Sequence, residues 1–208
     1  MSDNINVLDD FFADAMTEVI NIGMGSAAAS LSEMINDEVI LSVPAIEFVS
    51  RLKATSLIGE KAKTDVSGVH QNFNGVLDGD AILLFPEEQS LQLVCAVLLQ
   101  NNINLADLTD MEQEAMTEIG NIILNACLCS MADMFNEELQ SEVPQFIRGT
   151  LRQIFSANGG VENTEAVVLL LNMDFAIESK SIQGYVTFLM DIKSVLKFKK
   201  AIENMLNI

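Results

Sequence analysis

Met16-Thr-Glu-Val-Ile-Asn-Ile22 returns as Met116-Thr-Glu-Ile-Gly-Asn-Ile122, one hundred residues further along the chain. A repeat of that period constrains the fold more than any other feature, because whatever the first half builds the second half must build again. The register persists: Pro44, in Leu-Ser-Val-Pro, is answered by Pro144, in Ser-Glu-Val-Pro. Later blocks also correspond, Gly79-Asp-Ala-Ile-Leu-Leu-Phe85 with Gly184-Tyr-Val-Thr-Phe-Leu-Met190, although the offset has moved by a few residues. The 208 residues therefore divide into two repeats, about 1–104 and 105–208, with a boundary near Gln100–Leu108. No Pro/Gly/Ser-rich linker separates them. The halves are expected to pack as one pseudo-two-fold body.

Helical periodicity covers roughly Asp9–Asn36, Pro86–Asn101, Asp110–Glu138 and Lys193–Leu206. Between these lie stretches of β character: Val39–Val49, Ala54–Gly59 and Ser67–Val76, then Pro144–Arg148, Ala166–Ile177 and Ser181–Ile192. Each half thus reads helix, strands, helix. The later strands are joined by short links such as Glu178-Ser-Lys180, which favours antiparallel pairing. The expected class is α+β.

Charge narrows the function. Thirty acidic residues against eleven basic ones give a formal charge of −19, a field that repels nucleic-acid phosphates and anionic lipid. No nucleic-acid partner is expected. The N-terminus carries Asp3, Asp9, Asp10 and Asp14 where a secretory signal needs basic residues. Apolar runs such as Ala166–Leu171 fall far short of the roughly 20 residues that span a bilayer. These features lead us to expect a soluble, cytoplasmic chain with no membrane insertion. Cys95, Cys127 and Cys129 sit in apolar, helix-like stretches, and Cys127 and Cys129 point to opposite sides of a helix, so buried reduced thiols are expected. The only histidine, His70, is placed in a loop or at a strand edge. A zinc site or a Ser-His-Asp triad is thereby disfavoured.

The repeated segment carries the chemistry. At 100° per residue, Asp14, Glu18 and Asn21 fall within about 60° of one another, while Phe12, Met16, Val19 and Ile20 take the opposite side. Glu114, Glu118 and Asn121 form the same stripe in the second helix, against Met116, Ile119 and Ile123. A single Glu-x-x-Asn on an acidic protein is ordinarily a solvated face. Asparagine, however, is a mediocre helix former, so propensity gives no reason to place it mid-helix twice in register. The duplication therefore points to function.

These residues resemble the motif of the CheC/CheX/FliY family of chemotaxis phosphatases: Asp or Ser, three residues, Glu, two residues, Asn, and about 22 residues to a Pro. Asp14, Glu18, Asn21 and Pro44 match it, as do Glu114, Glu118, Asn121 and Pro144, with Glu114 standing where the family has Asp or Ser. The similarity continues through Ile22–Ala28 and Gly75–Pro86. Two copies in a chain of this length are similar to CheC. CheX-like members carry one copy and pair as dimers, and FliY-like members add a flagellar-switch domain for which no room is seen.

The resemblance implies a phosphatase acting on the aspartyl phosphate of a CheY-like receiver domain. Mg²⁺ and a lysine would belong to the receiver, leaving this chain without a cofactor of its own. Asn21 and Asn121 would orient the attacking water, since a carboxamide both donates and accepts hydrogen bonds. Glu18 and Glu118 would dock on the receiver lysine, with Asp14 and Glu114 in support at the rim. The alternative is a non-catalytic adaptor that binds a receiver domain or a CheD-like deamidase. A structural flagellar-switch component is weakened by the missing appended domain.

Other signals are bland. Gly23-Met-Gly25-Ser26 follows a helical pattern and lacks the Lys of a P-loop, so small-residue helix packing is expected. Pro44 and Pro144 are read as marking the start of strands. Lys193, Lys197, Lys199 and Lys200 are read as complementing the dipole near the end of the last helix.

Overall fold

The computed structural model describes residues 10–62, 65–97, 108–157, 167–177 and 180–206. The expected boundary around 100–107 and the link residues 178–179 lie outside them. In chain order the elements are α1 (Asp10–Ile35), β1 (Val39–Ser50), α2 (Arg51–Ala62), β2 (Val66–Gly75), β3 (Gly79–Pro86), α3 (Glu87–Val97), α4 (Leu108–Phe135), β4 (Leu139–Ser141), β5 (Gln145–Gly149), α5 (Leu151–Ala157), β6 (Val167–Ile177), β7 (Lys180–Met190) and α6 (Ile192–Leu206).

The two long helices end in the same way because the same residues end them. Asn36 and Asn136 both take the left-handed conformation, with φ of 53° and 51°. Just beyond, the amides of Asp37 and Glu137 reach back to the carbonyls of Ser32 and Ala132, at 3.3 and 3.2 Å. This closes the last turn as a Schellman motif, for which asparagine is the best substitute for glycine.

All strand pairings are antiparallel, in the order β1-β6-β7-β3-β2-β4, with β5 continuing beside β2. Read from the other end, the order exchanges each strand for its counterpart in the repeat. The centre lies between β7 and β3, and the first strand of each half pairs across, β1 on β6 and β4 with β5 on β2. The α+β class with antiparallel sheet is what the sequence led us to expect.

Helices cover both faces of this sheet. On one lie α1, α4, α3 and α6, whose Met16, Ile20, Met116, Ile119, Leu93 and Phe198 join a large core with Val69, Phe85 and Phe188 of the strands. On the other lie α2 and α5, where Ala54, Ile58, Ile154 and Phe155 meet Ile82, Leu84 and Leu170. Sandwiching explains why β3 and β6 contain unbroken buried runs, Ala81–Phe85 and Val167–Leu171, rather than alternating ones.

Several expectations are corrected. Ala54–Gly59 is helical, not a strand: Ser50 Oγ accepts from the Lys53 amide at 3.2 Å and caps α2. Ala54 and Ile58 then form a buried i, i+4 pair. Helix α5 is additional to the expected elements, although Thr150 and Gln153 form a reciprocal capping box at the repeat position of Ser50: Gln153 N–H donates to Thr150 Oγ1 (3.3 Å) and Thr150 N–H to Gln153 Oε1 (3.0 Å). The lysine run begins within the first turns of α6 instead of ending it. There Asp191 caps the helix, accepting from the Ser194 amide at 2.7 Å. That bond holds the Asp191 carboxyl below its usual value, with Lys193 and Lys197 adding to the effect.

His70 lies in the middle of β2, not at an edge, buried and bonded to Asp80 of β3 at 2.9 Å. Of the cysteines only Cys127 is buried, and burial pushes its thiol up to about 12, whereas Cys129 is exposed. Met111–Phe135 has a mean hydropathy of 1.3 and is long and apolar enough, by length and composition, to cross a membrane. Its apolar side is packed against the sheet here, through Met116, Ile119, Ile123 and Met131.

Candidate functional site

Two glycines set where the long helices lie. A Cβ on Gly23 would stand 2.7 Å from the Ala126 carbonyl oxygen and 2.5 Å from Ser130 Oγ, so α1 and α4 approach as only glycine allows. A Cβ on Gly120 would strike the Val69 side chain at 2.6 Å, so α4 is pressed onto β2 beside Asn121. The small-residue reading of Gly23 is thereby explained, while Gly25 has open space around it.

The polar stripes face outward as expected. Asp14, Glu18, Glu114 and Glu118 are exposed, and none forms a hydrogen bond or ion pair within the described residues. Met16, Ile20, Met116, Ile119 and Ile123 are fully buried behind them. Asn21 and Asn121 are half-buried, each at the edge where its helix meets the chain around the repeated proline.

The two asparagines are nevertheless held differently. Strand β1 pairs regularly to Ser42, opposite Asp174, and again from Ala45, opposite Asn172, so Val43 and Pro44 share one partner position as a bulge. Asn21 fills the gap this leaves: its Oδ1 accepts from the Val43 amide at 2.9 Å and its Nδ2 donates to the Val43 carbonyl at 3.0 Å. The side chain substitutes for a neighbouring strand. Pro44 therefore lies inside a strand, at a bulge, and not at its start; Pro144 does immediately precede β5.

In the second half the link Glu142–Pro144 stands away from α4. Val143 is 80% exposed where Val43 is 1% exposed. A groove of about 420 Å³ opens between them, lined by Gln71, Thr117, Glu118, Asn121, Asn125, Ser141, Glu142, Val143 and Pro144. Glu118 also borders a second hollow with Glu114, Met111 and Met34. Within the groove Asn121 Oδ1 accepts from Asn125 Nδ2 at 2.7 Å. Asn125 Oδ1 accepts from Gln71 Nε2 (3.0 Å) and Ser141 Oγ (3.2 Å), and Gln71 Nε2 donates also to the Glu142 carbonyl (2.9 Å).

Sequence reasoning missed this network. Its signals were Gln71 between Val69 and Phe73 on the same alternating face of β2, and Asn125 one turn beyond Asn121 on the same stripe. It also missed a buried ion pair near the start of α4. Glu112, 1% exposed, is bound by the Arg148 guanidinium of β5 and by Ser90 Oγ of α3 at 3.1 Å, while Arg148 Nε donates to Ser67 Oγ of β2 at 3.1 Å. Four elements are tied together there. The repeat positions, 12 and 48, are both phenylalanine.

Because Asn21 satisfies two backbone groups at the bulge, Asn21→Ala is expected to destabilise the fold by about 2 kcal/mol, the cost of leaving partly buried polar groups unpaired. Asn121→Ala is expected to cost less than about 1 kcal/mol, its partner being another side-chain amide facing a wet groove. Urea denaturation of the two variants reads the difference directly.

Among the described residues no three His, Cys, Asp or Glu side chains gather to hold a metal ion. Residues 11–47, from within α1 to the middle of β1, match the CheC-like family. A CheY-P phosphatase, CheC, from Bacillus subtilis (strain 168) is 26% identical over 134 residues, which span 64% of this chain and 64% of that protein, just under two thirds of each. The structure of Thermotoga maritima FliY superposes with a TM-score of 0.75 at 17% identity, covering 95% of this chain and 98% of that one. A chain of the CheX-CheY-BeF3-Mg complex from Borrelia burgdorferi superposes with a TM-score of 0.51 at 17% identity, covering 84% of this chain and 99% of that one. The fold is shared with both.

Proposed function

We propose that the chain is a CheC-like phosphatase that hydrolyses the aspartyl phosphate of a CheY-like receiver domain. The observation that carries this reading is the pair of Glu-x-x-Asn stripes, in identical register, on helices flanking one sheet, with the glutamates exposed and free of partners among the described residues. The B. subtilis relative is a phosphatase of CheY-P by name, and the solved CheX complex holds CheY with BeF3 and Mg.

An aspartyl phosphate is already an activated acyl phosphate, so the work left for a partner protein is to place water in line with phosphorus. Glu118 projects from α4 one turn before Asn121, and a carboxylate there docks on the receiver lysine. Asn121 then presents its amide nitrogen, which has no hydrogen bond within the described residues, to the water or to a phosphoryl oxygen. Mg²⁺ comes with the receiver, and the reaction is cytoplasmic because such receivers are. Glu18 with Asn21 forms the equivalent pair on α1, supported by Asp14 as Glu114 supports the other. Asn21 acts only when its two bonds to Val43 give way.

That engagement favours a second reading for the first site, a docking face without catalysis, and extended to the whole chain this is the adaptor hypothesis. The deciding experiment follows the decay of a ³²P-labelled CheY-like receiver in Mg²⁺ with this protein at one-tenth the receiver concentration. Accelerated decay with turnover supports the phosphatase. Unchanged decay with measurable binding to the receiver sinks it and leaves the adaptor.

A further inference from the structure

The Asn121 amide is polarised by a fixed chain of hydrogen bonds whose direction is set by the backbone. A carbonyl can only accept, so the Glu142 carbonyl requires the Gln71 nitrogen, not its oxygen, to face it. The same nitrogen faces Asn125, which must therefore turn its oxygen to Gln71 and its nitrogen to Asn121. Ser141 Oγ donates to the same Asn125 oxygen at 3.2 Å, although a hydroxyl would suit either orientation, so the direction rests on Gln71 and the Glu142 carbonyl. Asn121 is left with its oxygen inward, taken up by Asn125, and its NH₂ free of partners among the described residues in the groove. Gln71 is 2% exposed, so the origin of the chain is held by packing as well as by hydrogen bonds.

We infer that Asn125 is a positioning residue that fixes which end of the Asn121 amide meets the substrate, making the groove a hydrogen-bond donor site. This deepens the phosphatase reading and rests on it for its catalytic consequence. The first half has no such device: position 25 is glycine, and Asn21 is oriented by Val43 instead. A donor presented to the groove suits an anionic, oxygen-rich group such as a phosphoryl.

Asn125→Asp tests it with an isosteric change. The carboxylate introduced by the substitution still accepts from Gln71 and Ser141 but cannot donate to Asn121, so Asn121 must turn over and donate its NH₂ to the new carboxylate. In ¹⁵N spectra, the Asn121 side-chain amide, assigned by its loss in Asn121→Ala, is expected to exchange with water rapidly in the wild type. In Asn125→Asp it is expected to shift downfield and exchange about tenfold more slowly, as a charge-assisted bond forms. In an Asn21→Ala background, kcat on the phosphorylated receiver is expected to fall about 10- to 100-fold with receiver affinity unchanged, the scale of a misplaced catalytic group.

If Asn125→Asp does not fold, Asn125→Ala serves. Loss of the Asn125 donor should let the Asn121 amide reorient, seen as increased side-chain mobility. An Asn121 amide that behaves identically in the wild type and in either folded variant overturns the inference. Wild-type protein without phosphatase activity but with the expected amide response would sink the phosphatase reading and leave the positioning role standing.

Discussion

Asn121→Ala is expected to remove most of the acceleration of receiver dephosphorylation, and Asn21→Ala only a minor part, although the two residues occupy matched positions in the repeat. Orienting one water molecule against an activated phosphate is worth ~2–4 kcal/mol, or roughly 30–1,000-fold in rate. An amide delivers that only if it is free to meet the water. Asn121 has its nitrogen available beside an open groove, whereas both ends of Asn21 are committed to Val43. Decay of labelled receiver, measured with each single variant and the double variant at matched folded fraction, separates the sites. The double variant is expected to abolish acceleration. Equal losses from the two single variants would show that the Val43 clamp opens freely and that the asymmetry has no kinetic meaning.

The second large effect is on stability. Arg148→Met is expected to destabilise the fold by about 3 kcal/mol, because Glu112 would remain buried with only Ser90 to satisfy it. For a chain of this size that corresponds to a fall of about 6–12 °C in Tm. The destabilisation comes from stranding the carboxylate rather than from losing a favourable pair. The double variant Glu112→Leu/Arg148→Met is therefore expected to recover at least half of the loss, as exchange of buried pairs for apolar side chains commonly does. Calorimetry of the singles and the double closes the cycle. A double variant no more stable than Arg148→Met would show that the pair itself, rather than the stranded carboxylate, carries the stability of the junction of α3, α4, β2 and β5.

Much of this architecture was legible in the chain. The long helices, the strands β1, β2, β5, β6 and β7 and the outward Glu-x-x-Asn stripes were legible from periodicity and apolar runs, and the burial of Met16, Ile20, Met116 and Ile119 obeys the helical repeat closely. Ala54–Gly59 misled because a short run of Ala, Thr, Ser, Leu and Ile fits either period. Its cap at Ser50, echoed by Thr150 one hundred residues later, was the signal that settles it. What periodicity could not reveal was the difference between the two sites. Nothing in Leu-Ser-Val-Pro or Ser-Glu-Val-Pro says that one valine is clamped and the other exposed. The network that distinguishes the second site is built on Gln71, in a distant strand, and on Asn125, whose repeat position holds Gly25.

The exchange of first strands between the halves has a consequence for how the protein is made. Val39 pairs with Ile177 and Ser50 with Val167, so β1 has no sheet partner until well over half of the remaining chain has left the ribosome. At about 5–20 residues per second the wait is on the order of ten seconds. The first strand to be synthesised is thus among the last to find its place, and a nascent chain halted after the first repeat carries an edge that only the second can close.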